Sequence, residues 1–260
     1  MNATRAIPGI HHVTAIAGDP GRALAFYTET LGLRLVKRTV NHDDPGTWHL
    51  YFADAAATPG CVLTLFPHPG ARPARAGTGM VEATRLAVPS DALGWWEARL
   101  REAGAGVAGV AARPGGERAL AFRDPDGLAL ELVATDSPPR GEPWTEGPVP
   151  AERAIGGIHS VVLALAHPEP TARFLAGTMG VEREGGLVDL VARPGKPPGR
   201  IAAGAVHHVA WRAGDAGAHA AWRDRIAAAG RRPTPVVDRF YFRSFYFREP
   251  GGVQFEFSTE

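Results

Sequence analysis

Residues 8–16 read PGIHHVTAI, and residues 204–211 read GAVHHVAW. Each stretch sets two adjacent histidines, His11 and His12 or His207 and His208, at the start of an apolar run with strand composition. Side chains of neighbouring residues in a regular strand point to opposite faces, so each pair is expected to send one imidazole to either side. A single histidine in a strand is commonly just a hydrogen-bonded core residue. Two pairs in matching settings point instead to a duplicated unit.

The rest of the chain repeats with them. RDPDGLALEL (123–132) and REPGGVQFEF (248–257) both read Arg, acid, Pro, any residue, Gly, then an alternating strand holding one glutamate. TPGCVLTLF (58–66) keeps the turn and the strand; aligned on its proline, it places Leu65 where the others have Glu131 and Glu256. Four first strands precede these, beginning IHHVTAI, VEATRLAV, IHSVVLAL and VHHVAWRA, and each leads into a helix that ends at glycine. Asp19 is the expected N-cap of the first helix with Pro20 at its first position, and Leu24, Tyr27 and Leu31 form its apolar stripe. Leu93, Trp96 and Leu100 do the same in the second helix.

Each unit therefore reads strand, helix and up to three strands, at a period of about 50 to 70 residues. The expected fold class is α+β, with four βαβββ modules forming two cupped, barrel-like sheets and the helices outside. The expected modules span about 8–67, 79–136, 155–198 (shortened) and 203–260. Residues 1–137 would form an N-terminal half and 154–260 a C-terminal half, joined by a Pro-rich linker at 138–153.

Composition removes several classes of function. A net charge of +1 gives no electrostatic footprint for nucleic acid or a membrane surface. Cys61 is the only cysteine, which excludes an internal disulfide and a multi-cysteine zinc site. The first ten residues lack the pattern of a signal peptide, and no apolar run approaches the about 20 residues of a membrane span. A soluble, cytoplasmic protein is expected, with no nucleic-acid or membrane partner and with a homo-oligomer left open.

The way the units pair decides the chemistry. Aligned first strands put His12, Ala83, Ser160 and His208 at one position, and aligned last strands put Leu65, Glu131 and Glu256 at another, the third unit offering no clear glutamate. Pairing units 1 and 2, or 3 and 4, gives one histidine and one acid per cup. Pairing unit 1 with unit 4 collects His12, His208 and Glu256. Two imidazoles and one carboxylate leave open positions on a metal, which suits Fe(II), although Mn(II) accepts the same donors. The second cup, with Ala83 and Ser160, is then expected to hold no metal.

With these residues in view, the chain resembles the vicinal oxygen chelate superfamily, whose members include glyoxalases, extradiol dioxygenases and fosfomycin- and bleomycin-resistance proteins. The likeness is closest to four-module ring-cleaving dioxygenases of the hydroquinone and chlorohydroquinone type. It runs over essentially the whole chain and is most specific in GIHHVTAI (9–16), LVKRTVNHDDPGTWHLYF (35–52), AVHHVAWR (205–212) and DRFYFRSFYFREPGGVQFE (238–256). The resemblance implies Fe(II) on His12, His208 and Glu256, with His11 and His207 orienting ligands or substrate. It also places Thr14, Arg239 and Tyr246 around a small aromatic substrate that reacts with O2. The short third unit, and His42 where an apolar or aromatic residue is usual, depart from the pattern.

Two further readings compete with a dioxygenase. One is a glyoxalase-like metal-dependent isomerase or lyase, which would want a second acid; Leu65 at the matching place argues against it. The other is a non-catalytic module that binds or sequesters a small aromatic, which would need neither both histidines nor the glutamate. An Arg239 ion pair with Asp238 or Glu249, and a core role for Tyr246, are the structural alternatives at those residues. His49 and His68 have no partner that the pattern reveals.

Overall fold

The computed structural model describes residues 6–113, 115–136, 141–181 and 186–259. Unit 1 contributes β1 (Ile10–Ala17), α1 (Pro20–Ala25), β2 (Arg34–Asn41), β3 (Asp44–Ala53) and β4 (Val62–Pro67). Unit 2 contributes β5 (Met80–Pro89), α2 (Leu93–Glu102), β6 (Gly109–Ala112), β7 (Arg118–Arg123) and β8 (Ala129–Thr135). Unit 3 contributes, among the described residues, the strands β9 (Gly157–Leu165) and β10 (Val188–Ala192) and the helix α3 (Pro168–Phe174). Unit 4 is complete, with β11 (Ala205–Gly214), α4 (Ala216–Ala228), β12 (Val237–Asp238), β13 (Arg243–Arg248) and β14 (Gln254–Thr259). None of the described helices is long and apolar enough to cross a membrane.

The strands form two curled sheets. One runs β12-β13-β14-β11-β1-β4-β3-β2, and the other β10-β9-β5-β8-β7-β6. Antiparallel pairing of β1 with β11 joins unit 1 to unit 4, and pairing of β5 with β9 joins unit 2 to unit 3. This is the pairing that brings His12, His208 and Glu256 into one cup. Each sheet buries one face under helices, with Trp96, Trp211, Tyr27, Phe52 and Phe257 fully enclosed. Burying a side chain of this size is worth about 1.5–3 kcal/mol, so this layer holds the cups in shape.

The repeated turns have a mechanical role. The acid that follows the arginine, Asp124 or Glu249, is buried and bonds back to its own turn. Asp124 also accepts from the Tyr27 hydroxyl at 3.0 Å, tying unit 2 to the helix of unit 1. Glu249 accepts from Thr171 Oγ1 at 2.6 Å, tying unit 4 to α3 of unit 3. Thus the sheets join unit 1 to unit 4 and unit 2 to unit 3, while the turn acids join unit 1 to unit 2 and unit 3 to unit 4.

Three expectations need correction. First, α1 is capped by Asp19, which accepts from the Arg22 amide at 2.7 Å, but it widens into a π-helical turn over Phe26–Thr30. That shifts the helical phase, so Ala23, Tyr27 and Leu31 are buried while Leu24 is 39% exposed. Second, the strand equivalent to β8 and β14 in unit 1 is one residue out of step with the proline alignment. Gly60, Gly127 and Gly252 share a left-handed conformation (φ +97°, +88° and +98°), but the unit 1 turn is one residue shorter between proline and glycine. Counted from the glycine, Thr64 and not Leu65 matches Glu131 and Glu256, and the pairing confirms it. Thr64 lies beside Thr14 as Glu131 lies beside Arg85 and Glu256 beside Ala210. Third, unit 3 does offer an acid, because Asp189 lies beside Val162 in the same register.

Candidate metal centre

The doubled histidines do not alternate across the sheet as a regular strand requires. The β1–β11 ladder slips by one residue between Ile10 and His12, and again between Thr14 and Ala15, opposite His207. Each slip is a bulge that re-aims one imidazole. The two rings of each pair therefore turn toward one another, with His11 Nδ1 at 2.8 Å from His12 Nδ1 and His207 Nδ1 at 2.8 Å from His208 Nδ1. One histidine of each pair holds the Nδ1 edge of the other, and His12 and His208 present Nε2 to the cup.

Glu256 reaches the same point from β14. Its Oε1 accepts from Ser258 at 2.8 Å and from Ser244. Its Oε2 lies 2.8 Å from His208 Nε2 and 3.6 Å from His12 Nε2. All three residues are buried, and their ligand atoms lie within 4.8 Å of one another. No other such group occurs among the described residues.

Electrostatics keep the group poised to take a cation. Burial lowers the His12 pKa to about 3 despite the opposing pull of Glu256, so the ring is neutral. Burial works to raise the Glu256 pKa, but His208 and His12 outweigh it, and the carboxyl stays ionised far below its usual range. His208 Nε2 is fully buried, and the polar atom it meets is Glu256 Oε2 at 2.8 Å. Two imidazoles and a carboxylate, converging from three strands on one buried point, fit a divalent transition metal.

The centre opens into a cavity of about 410 Å³. Apolar walls come from Ile16, Phe66 and Phe242, the last set against the His11 and His12 rings. Tyr246 and Arg239 line it too, with Arg239 Nη2 donating to the Tyr246 hydroxyl at 3.2 Å. Arg239 pairs with neither Asp238 nor Glu249. It forms a two-pronged ion pair with Asp43 at 3.1 and 2.8 Å, bridging the β2–β3 turn to the loop before β13. Asp238 instead accepts from the Phe240 amide, and Glu249 closes its own turn.

Of the other expected site residues, His207 lines the cavity, whereas His11 and Thr14 are not on its wall. Thr14 is fully buried and 2.8 Å from Thr64 Oγ1. The pattern missed His49 and Tyr51. Both line the cavity, with His49 Nε2 at 2.8 Å from Thr64 Oγ1 and Nδ1 at 2.9 Å from the Tyr51 hydroxyl. Their two-residue spacing in TWHLYF was the available signal, since it places them on one face of a strand. His42 and His68 also line the cavity.

The second cup shows what the same scaffold does without histidines at the two ligand positions. Ala83 and Ser160 stand at the His12 and His208 positions, and Arg85 stands at the position of Thr14. Arg85 Nε donates to Glu131 Oε2 at 2.8 Å and Nη1 donates to Asp189, while Arg113 donates to Glu131 Oε1 at 2.6 Å. A fixed guanidinium neutralises the acids of this cup.

Residues 9–132 and 157–257 match the Glyoxalase/Bleomycin resistance protein/Dioxygenase superfamily. The chain belongs to this superfamily, the vicinal oxygen chelate proteins. It is 41% identical over 97% of its length, and 84% of the relative's, to "Putative ring-cleaving dioxygenase MhqO" of Bacillus subtilis. It is 30% identical over its whole length, and 87% of the relative's, to "Chlorohydroquinone/hydroquinone 1,2-dioxygenase" of Sphingobium indicum. A crystal structure described as a "putative dioxygenase" from Bacillus subtilis superposes with a TM-score of 0.92 at 40% identity, covering 98% of this chain and 86% of the other. Within the superfamily, then, the likeness is to proteins named as ring-cleaving dioxygenases.

Proposed function

We propose that the chain is a non-haem Fe(II)-dependent, ring-cleaving dioxygenase of the extradiol type that opens a hydroquinone or related phenol with O2. The observation that carries this reading is the convergence of His12, His208 and Glu256 on one buried point at the end of an aromatic-lined cavity. The names of the relatives agree with it. Mn(II) fits the same donors and is the alternative metal. Thr64 at the fourth ligand position removes the second acid that a glyoxalase-like reaction would want, so the argument first made from Leu65 stands on Thr64.

When bound, a divalent iron supplies the affinity for O2 and favours the ionised form of a phenol oxygen. The remaining work falls to the chain. Phe66, Phe242 and Ile16 give the ring an apolar slot and keep water from it. Tyr246 keeps its proton, because burial and then Glu256 push its pKa well above the usual phenol range, so it meets the substrate as a hydroxyl donor. Arg239, held by Asp43 and Tyr246, aims fixed positive charge at the place where the ring gains negative charge. Burial lowers the His207 pKa to about 4, which leaves it a neutral ring that holds His208 in place.

The test is O2 uptake by protein purified anaerobically and loaded with Fe(II). Consumption of about one O2 per hydroquinone, lost in Glu256→Gln, is the expected result. Retention of stoichiometric iron by both His12→Ala and Glu256→Gln would overturn the ligand assignment. Iron binding without O2 uptake on any hydroquinone, together with turnover of a methylglyoxal–thiol adduct, would favour the isomerase reading.

A further inference from the structure

We infer that Tyr51, oriented by His49, is the specificity-determining hydroxyl of the cup and recognises a second ring oxygen, the one that does not face the metal centre. This deepens the dioxygenase reading and rests on it.

The cup has an internal symmetry. Glu256 on β14 lies directly across from Tyr246 on β13, and Thr64 on β4 lies directly across from Tyr51 on β3. Since Thr64 holds in unit 1 the place Glu256 holds in unit 4, Tyr51 and Tyr246 are mates related by the duplication. Directly paired residues share a face, so the cup receives one phenol from each wall. Each carries a cation against its ring: Lys37 Nζ lies 4.8 Å from the Tyr51 centroid, and Arg239 Cζ lies 5.4 Å from that of Tyr246.

The two walls differ in what stands behind the phenol. Tyr246 is tied to a guanidinium, which can only donate. Tyr51 is tied to an imidazole, and the chain continues from His49 to Thr64 to Thr14 through contacts of 2.9, 2.8 and 2.8 Å. Every member of that chain can both donate and accept, so its direction can reverse without creating a charge. Tyr51 can therefore accept from a ring hydroxyl or donate to a ring carbonyl. That suits an oxygen whose character changes as the ring opens.

The position fits as well. Three of the four inward positions of the cup carry ligand atoms; the fourth is Thr64, with Tyr51 directly opposite it. A ring held by one oxygen at the histidine–glutamate end lies toward this ligand-free wall. A monophenol would leave Tyr51 without a partner, whereas a dihydroxylated ring satisfies it.

Anaerobic calorimetric titration of the Fe(II)-loaded protein with hydroquinone and with phenol tests the inference. The intact protein is expected to bind hydroquinone about tenfold more tightly than phenol, the worth of one hydrogen bond in a dry pocket. Tyr51→Phe should bind the two equally, with unchanged phenol affinity and unchanged iron content. His49→Leu should behave likewise, whereas His49→Asn, which keeps a hydrogen-bonding atom near the place of Nδ1, should retain most of the preference. A Tyr51→Phe variant that still prefers hydroquinone as strongly as the intact protein overturns the inference and leaves the dioxygenase reading standing. Failure of the intact, iron-loaded protein to bind either ring overturns both.

Discussion

Glu256 divides its two oxygens between two tasks. Oε1 is occupied by Ser244 and Ser258, and only Oε2 is left to face the histidines. The serines thus fix which oxygen is available, much as His11 and His207 fix which nitrogen His12 and His208 present. Groups that orient a ligand in this way typically contribute 10- to 100-fold in metal affinity. Ser244→Ala should therefore weaken Fe(II) binding by about that factor in a competition with a chelator, while Glu256→Gln, which removes the charge, should abolish stoichiometric binding. An unchanged affinity in Ser244→Ala would mean that Glu256 holds its position unaided. The same burial sets a pH dependence for the metal-free protein. His12 and His207 titrate at about 3 and about 4 in the folded chain, against 6.5 when unfolded, chiefly because of burial. Between those limits the unfolded chain binds more protons, so stability is complete above pH 6.5 and falls as acid is added. Each histidine contributes a slope approaching 1.4 kcal/mol per pH unit once the pH is well below 6.5. Glu256, with its folded pKa depressed, adds to the loss below its ordinary 4.5. Urea midpoints at pH 7.5, 6 and 5 should decline in that order, and a flat series would show that the histidines are not held neutral by the fold.

At the scale of the element, what could be read in the sequence was the content of each unit, and what could not was its phase. Apolar spacing placed the strands and helices, and the Asp19–Pro20 start of α1 behaves as its cap chemistry requires. Three departures are all insertions or deletions of one residue in a periodic pattern. The bulges at His11 and His207 turn the two rings of each pair toward one another. The shorter turn at Pro59–Gly60 moves the key position from Leu65 to Thr64, and the π-helical turn after Ala25 moves the buried stripe from Leu24 to Ala23. Such slips are set by how a segment packs against its neighbours, which local spacing does not encode; the left-handed glycine was a better anchor than the proline because the backbone itself demands it. The α1 shift can be tested directly. Leu31→Ala should destabilise the protein by about 2–5 kcal/mol, as a fully buried leucine does, and Leu24→Ala by no more than about 0.5 kcal/mol. Equal losses measured by chemical denaturation would restore the regular helical phase.

Across the whole molecule, the order of units along the chain and their order in space are different, and the candidate site depends on the difference. The metal-binding hypothesis could be formed from sequence alone because only the pairing of unit 1 with unit 4 collects two histidines and an acid, and β1 pairs with β11 as that requires. The consequence is that neither half of the chain holds a complete sheet. A break in the chain between β8 and β9 would leave β1 and β5 as open edges of the N-terminal piece, and β11 and β9 as open edges of the C-terminal piece. Long, apolar, unpaired edges of this kind drive misassociation, so each piece alone should aggregate or stay unfolded. Mixed during refolding, the pieces can form both sheets without a covalent link, since both β1–β11 and β5–β9 run between them. His12 then comes from one piece, and His208 and Glu256 from the other. Stoichiometric Fe(II) binding should accordingly be absent from either piece and present in the refolded mixture. Iron retained by the C-terminal piece alone would mean that His208 and Glu256 suffice, and that the duplicated histidine of the N-terminal unit serves the fold rather than the site.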